Sequence, residues 1–315
     1  MRRVALIYNP ASGQISARRK AAVQQVLDVL RGAGIEAASF VTDTPGSATA
    51  HAEQAVREGY DAVLACGGDG TVHEVLQGLV GTDVALGVIP LGTANALASN
   101  LGLAGAPARA ARALLSASPT RVPVGRIHFQ NGRGPDSRYF LVAAGVGADA
   151  LLMSRLDPAL KRRFGYILYM IEAFKIWATD PLPLFEAAFS SNGHGADRVT
   201  EVSQLLAVRV RSFGGALREF APGATLHSQA LHLIAFGTRS RYLYLRFLLA
   251  VLAGRHTFAN KIQLVEAGTV DCYPRTGSQD TLYVEADGEV LGHLPARMET
   301  VPDALMLLVP EGAQP

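Results

Sequence analysis

The chain has 315 residues, 49% of them hydrophobic and 18% charged, so it can bury a sizeable core, which excludes a disordered chain; the length suggests two domains. Lys+Arg number 29 against 27 Asp+Glu, and a net charge of +2 excludes a protein that grips nucleic acid through its phosphates. Two cysteines, Cys66 and Cys272, form neither a disulfide framework nor a Cys-based zinc site, and they imply a reducing, cytoplasmic compartment. Residues 1–10 carry too short an apolar stretch for a signal peptide. The most apolar run, 242–253, falls short of the ~20 residues of a membrane-spanning helix and is interrupted by Arg246. The expectation is a protein that does not cross a membrane but can associate with one peripherally.

Residues 4–8 (VALIY) read as a buried strand ending in Asn-Pro-Ala-Ser-Gly. A helix follows over 16–32, with Ser16 as N-cap and Gly32 and Gly34 as stops. Strand 38–42 and helix 47–58 come next, then the continuous apolar strand 61–70, which runs into glycines. Helix 71–80, strand 84–90, helix 93–100 and helix 107–117 complete the first third. Strands alternating with helices predict a parallel sheet flanked by helices, with ligands bound beyond the C-terminal strand ends. After about residue 120 the texture changes to many short strand-like segments, interrupted by helical stretches at 158–179 and 241–253. This predicts a C-terminal β-rich sandwich domain over 121–300, following an α/β domain over 1–120 onto which 300–315 can pack back.

Three glycine-rich turns fall at predicted strand ends. Gly67-Gly68-Asp69-Gly70-Thr71 follows a buried strand and opens a helix, so its amides and the helix N-terminus suit an anion. Asp69 inside such a cradle would repel phosphate unless a divalent cation lay between them, which points to a nucleotide–Mg²⁺ complex. The bland alternative is a tight turn with Asp as a cap. Gly92-Thr93-Ala94-Asn95 repeats the idea after the next strand, and Asn9-Pro10-Ala11-Ser12-Gly13 makes a third turn. Thr93 and Ser12 can each cap a helix or donate to a phosphate. No Gly-x-x-x-x-Gly-Lys-Ser/Thr is present, so this is not a P-loop.

NPASG, GGDGTVHEV and PLGTANALA, in this order and spacing, resemble the diacylglycerol kinase catalytic-domain family, which includes bacterial lipid kinases, ceramide kinases and sphingosine kinases. The likeness continues through AAGVGADA (143–150) and EADGE (285–289). It implies ATP-dependent, Mg²⁺-assisted phosphorylation of a lipid hydroxyl, with a nucleotide-binding first domain and a lipid-binding second one. It also implies nucleotide contacts at Asn9, Pro10, Ser12 and Gly13, at Thr42 (in the pattern Thr42, Gly46, Ala48), from Gly67 through Gly68, Asp69, Gly70, Thr71 and Val72 to His73, and at Gly92, Thr93 and Asn95. Asp287 and Glu289 are implied as candidates for the base that takes the lipid hydroxyl proton, with Asp287 preferred. Asp69 would hold Mg²⁺ through water or orient the acceptor. Out of context, Asp287-Gly288 is an ordinary hairpin turn. Gly145-Val146-Gly147 mimics a dinucleotide fingerprint but lies outside a βαβ unit. Asp149 beside it would face a lipid head group or cap the next helix.

Two departures from the family pattern stand out. Ala96 occupies a position where many bacterial members carry Asp. No carboxylate follows Pro222-Gly223-Ala224, where such members hold a structural Mg²⁺. The structural Mg²⁺ site is therefore expected to be missing or altered, with His227 and His232 as surface or sheet residues. HEV at 73–75 and NALA at 95–98 look closer to the sphingosine-kinase-like branch, so the lipid is left open. Residues 160–179, with Lys161, Arg162 and Arg163 ahead of aromatic residues, and 242–256 are candidates for interfacial helices or for buried packing. The partners expected are a lipid substrate and a membrane surface, with no nucleic acid; a homodimer is left open. The alternatives carried forward are a kinase of a soluble substrate such as NAD, and a catalytically weak lipid- or nucleotide-binding relative.

Overall fold

A computed structural model describes residues 1–10, 16–155, 175–176, 178–191, 196–213, 221–253, 261–278 and 280–313. The chain divides into two compact units, Met1–Val124 with Pro302–Pro315, and Gly125–Val301.

The first unit alternates β1 (Arg3–Tyr8), α1 (Ser16–Gly32), β2 (Glu36–Val41), α2 (Ser47–Arg57), β3 (Ala62–Gly67), α3 (Asp69–Leu79), β4 (Ala85–Pro90), α4 (Ala96–Asn100) and α5 (Pro107–Leu115). Its strands lie in the order β2-β1-β3-β4, every neighbouring pair parallel, and the end of the last strand of the chain, β15 (Glu289–Val309), adds beside β4 with Leu307 opposite Leu86. β3 and β4 are buried along their whole length, as strands covered on both faces must be. The chain winds outward from β1 to β2 and then returns past β1 to β3. Helix α1 packs with α5, and α2 with α3, as right-handed crossovers on opposite faces require. The order of winding thus reverses between β1 and β3, the place where such sheets open a ligand crevice at their C-terminal edge.

Local sequence explains the element ends. On α1, Arg19, Val23, Val26, Leu27 and Leu30 recur on one face and are buried. The helix stops before Gly34, which takes φ 76°. Two helices start elsewhere than their sequence pattern suggests. α3 begins at Asp69, two residues early, because the turn after β3 is reduced to Gly68. α4 begins only at Ala96, because Asn95 adopts a left-handed φ of 48° that a helix cannot contain.

The second unit is antiparallel. It takes up the chain within β5 (Ser118–Asn131), followed by β6 (Gly134–Phe140), β7 (Ala143–Gly147), α6 (Ala148–Arg155), β8 (Phe185–Ser190), β9 (Arg198–Val202), β10 (Gln204–Val208), β11 (Leu231–Phe236), α7 (Arg241–Leu252), β12 (Ile262–Ala267), β13 (Thr269–Pro274) and β14 (Tyr283–Ala286), and leaves through β15. One path of strands runs β12-β11-β10-β7-β14-β15; β8 pairs with β9 and β13, and β13 and β5 pair with β15. One buried cluster joins Val146, Leu205, Leu233 and Val284 of that path to Phe185, Phe189 and Val270 of β8 and β13, which makes the unit sandwich-like. Strand alternation turns Gly145, Leu206 and Glu285 to the opposite face, against which α6 packs through β7 and β14. Most of the 160–179 stretch proposed as an interfacial helix, including Lys161, Arg162 and Arg163, lies outside the described residues.

Candidate active site

In the first unit the turns after β3 and β4 touch backbone to backbone. A Cβ added to Gly92 would lie 2.5 Å from the Cα of Gly68 and 3.2 Å from its nitrogen; one added to Gly68 would lie 3.3 Å from the Cα of Gly92. The Leu91 amide donates to the Gly67 carbonyl at 2.9 Å, which holds the two strand ends level. Thr71 folds its side chain over Gly67, so a Cβ there would meet the Thr71 hydroxyl oxygen at 2.2 Å. The N-termini of α3 and α4 open from this paired turn, and their first amides carry the positive end of each helix dipole.

Side chains then lock the turns. Asp69, the first residue of α3, accepts the Ala96 amide on Oδ1 at 2.8 Å and so caps α4 from the neighbouring turn. Asn95 braces its own turn, accepting from the Gly92 amide and donating to the Gly92 carbonyl, both at 2.9 Å. The half-buried Thr71 and exposed Thr93 flank this arrangement, whereas Val72 and His73 face the core on the inner side of α3. Behind the turns lies a group that motif reading passed over. Arg19 of α1 is 3% exposed and donates to the carbonyls of Asn9 at 2.7 Å and Leu91 at 2.8 Å. It thereby ties the turn after β1, with Asn9 and Pro10, to the turn after β4. Burial lowers its pKa from the usual guanidinium value. Its position on the apolar stripe of α1, four residues before Val23, was the signal in the sequence.

Thr42 is buried at the end of β2, where its amide donates to the Tyr8 carbonyl at 2.9 Å. The companion positions Gly46 and Ala48 donate their amides to Oε2 of Glu74 at 3.1 and 3.2 Å, and the Thr49 hydroxyl donates to the Glu74 carbonyl. Glu74, inside the HEV segment, thus anchors the start of α2 to α3. Ser12 and Gly13 lie outside the described residues.

In the second unit, Asp287 and Gly288 form a two-residue hairpin turn between β14 and β15, with φ of 49° and 84° and Ala286 opposite Glu289. The Asp287 carboxylate accepts three successive backbone amides, Leu141 at 3.1 Å, Val142 at 2.8 Å and Ala143 at 3.1 Å, while its own amide donates to the Ala143 carbonyl. The Gly288 amide donates to Glu285, which is buried. Arg209, also buried, is lowered to about 10 by burial, and the charge of Asp287 opposes that shift. Glu289 is half-buried at the first position of β15.

Asp149, in the first turn of α6, folds back over the sheet: a Cβ on Gly145 would fall 1.7 Å from its Oδ2. Glu285 pairs with Gly145 across the sheet, so its side chain shares that face. Neither Asp149 oxygen makes a hydrogen bond, and burial pushes the carboxyl up to about 7, against the pull of the nearby amides of Ala150 and Asp149 itself. His232 sits in β11 with Nε2 3.1 Å from the Ser228 hydroxyl, and His227 is exposed.

The profile of the "Diacylglycerol kinase catalytic domain" matches residues 3–127, and that of the "YegS C-terminal NAD kinase beta sandwich-like domain" matches residues 141–309. A diacylglycerol kinase of Mycobacterium tuberculosis is 30% identical over 315 residues, covering 98% of this chain and 95% of the relative. One of Bacillus subtilis is 26% identical over 314 residues, covering 99% and 97%. A crystal structure of a diacylglycerol kinase from Bacillus anthracis superposes with a TM-score of 0.70 at 20% identity, covering 99% of this chain and 98% of the other. A second crystal structure from the same organism gives a TM-score of 0.79 at 21% identity, covering 99% and 96%.

Proposed function

Because this chain belongs to the diacylglycerol kinase catalytic-domain family, we propose that it transfers the γ-phosphoryl group of ATP to a lipid hydroxyl. Membership makes it a phosphotransferase that uses ATP; the lipid acceptor is our reading. The observation that carries it is the contact of Gly68 with Gly92 at the C-terminal edge of the sheet, on the β3 side of the crevice that opens between β1 and β3. That contact leaves two adjacent helix N-termini and bare backbone where a triphosphate can approach, and any side chain at 92 would fill the space.

Phosphoryl transfer asks for in-line positioning, neutralised charge and an outlet for the hydroxyl proton. The backbone of residues 67–71 and 92–95 would position the phosphates, with Thr71 and Thr93 as hydroxyl donors at the helix starts and Asn95 holding its turn rigid. Asp69, whose Oδ1 also accepts the Ala96 amide, would supply the hard carboxylate oxygen that suits Mg²⁺. Bound Mg²⁺ would offset negative charge on the transferring phosphoryl group. Asp287 spends its carboxylate on three amides, which suits a residue that holds the hairpin in place. We therefore give the role of base to Glu289 and that of positioning residue to Asp287. Burial raises the Asp149 carboxyl well above the usual carboxylate range, and a carboxyl that keeps its proton can donate to a hydroxyl head group, which supports its assignment to the lipid.

A lipid acceptor is collected at a bilayer surface. No helix among the described residues is long and apolar enough to cross a membrane. The reading is tested by ADP release with diacylglycerol micelles, sphingoid-base micelles, NAD, and no acceptor. Release that depends on a lipid is expected. Release with NAD alone would overturn the lipid acceptor, and no release with any of the four would overturn catalysis.

A further inference from the structure

Helix α7 is apolar on two opposite faces. Tyr244, Phe247 and Val251 point inward: the Tyr244 ring stacks on Phe236 of β11 with centroids 4.7 Å apart, Phe247 meets the same ring edge-on at 5.1 Å, and Val251 is buried. At about 100° per residue these three cluster around one direction. Tyr242, Leu245 and Leu249 cluster around the opposite one and are 69%, 38% and 56% exposed. Arg246, also exposed, falls within the same outer arc, one turn beyond Tyr242. A surface helix normally turns polar side chains outward, so an outer stripe of two leucines and a tyrosine calls for a partner of its own.

The local charge identifies that partner. From position 220 to 265 the sequence holds no Asp or Glu, yet it holds five Lys and Arg: Arg239, Arg241, Arg246, Arg255 and Lys261. Arg241 is engaged with the carbonyls of Ala178 and Asp180, whereas Arg239 and Arg246 are exposed beside the apolar stripe. A stretch of chain that carries five cations and no acid, with Asp180 meeting it at the Arg241 end, sets positive charge beside protruding leucines and a tyrosine, which suits the headgroup layer of an anionic bilayer. We propose that the outer face of α7 docks on an anionic lipid surface, with Leu245 and Leu249 entering the acyl boundary and Arg239 and Arg246 meeting lipid phosphates. The purpose of such docking rests on the lipid-kinase reading; the docking itself concerns α7 alone.

The test is co-sedimentation of the full chain, without ATP, with phosphatidylcholine vesicles that do or do not contain phosphatidylglycerol. Binding is expected only when phosphatidylglycerol is present. Arg246→Glu, and Leu245→Ser combined with Leu249→Ser, should each weaken that binding about tenfold or more. Both variants should keep the wild-type melting temperature and the wild-type turnover of a short-chain, water-soluble acceptor, because the face lies outside the catalytic machinery. Undiminished vesicle binding by both variants overturns the proposal. So does a wild-type chain that ignores vesicles and forms a dimer in sedimentation velocity that the double serine variant abolishes, since the face then pairs two copies. Vesicle binding is read without turnover, so a chain that docks but phosphorylates no lipid would refute the kinase reading and leave the docking surface standing.

Discussion

Gly68 and Gly92 approach so closely that a single methyl group on Gly92 would sit 2.5 Å from the Gly68 Cα. The converse methyl, on Gly68, would sit 3.3 Å from Gly92. The contact is therefore unequal, and it separates two substitutions that look alike in sequence. Gly92→Ala must push the two turns apart. Overpacking of that kind costs about 1–3 kcal/mol, so ATP affinity should fall about ten- to a hundredfold. Gly68→Ala asks for a shift of only a few tenths of an ångström and should cost several-fold less. Equal affinities for the two variants, measured by calorimetry with a non-hydrolysable ATP analogue, would show that the contact does not shape the nucleotide site.

Asp69 carries two assignments that substitution can part. Its Oδ1 caps Ala96, a job an asparagine carbonyl oxygen can keep, whereas its charge is what a metal would require. Asp69→Asn should hold its melting temperature and lose turnover by about 10²-fold or more. Asp69→Ala should lose turnover likewise and also about 1 kcal/mol of stability with the cap. An asparagine variant with wild-type turnover across a Mg²⁺ titration would remove Asp69 from the chemistry.

The Asp287 and Glu289 carboxylates divide on the same principle. Asp287→Asn turns a donor toward a ring of amide donors and should cost about 1–3 kcal/mol of stability. Glu289→Gln should leave stability near wild type and lower turnover by about 10²-fold or more. Urea midpoints and turnover measured on the same two preparations check this. Full turnover in Glu289→Gln, with loss confined to Asp287→Asn, would return the base to Asp287.

These outcomes also mark how far sequence reaches. The alternation of buried strands with helices in the first third was legible, because parallel strands covered on both faces leave continuous apolar runs such as AVLACG and ALGVIP. The Asp287-Gly288 turn was legible too, since few residue pairs accept two successive positive φ values. What escaped depends on distance along the chain. The amides that clasp Asp287 lie 144 to 146 residues away, and no local pattern foretells them. Glu74 reaches Gly46 and Ala48 from 28 and 26 residues away, so HEV could be likened to a family branch but its structural role could not be read. Arg19 stood between the two cases: its helical spacing placed it on the buried stripe, but only the fold shows which carbonyls it joins.

Asp149 makes a prediction about stability that is independent of catalysis. Its carboxyl titrates at about 7 in the folded chain against an ordinary 3.8, because burial opposes the charged form. A carboxyl with the higher pKa in the folded state favours folding only while it is protonated. That contribution is complete below the ordinary value and is lost as pH rises toward 7. Wild type should therefore lose stability relative to Asp149→Asn between about pH 4 and 7, and the gap should stay constant above that range. At the stated shift the gap amounts to a few kcal/mol at most, at about 1.4 kcal/mol per pKa unit. Glu285 shares the sheet face and Tyr244 feels the Asp149 charge, so the difference between the two curves reports Asp149 together with its coupling to these neighbours. Urea midpoints at pH 4.5 and 8 suffice, and parallel curves would mean that the carboxyl reaches solvent or a donor in the folded chain.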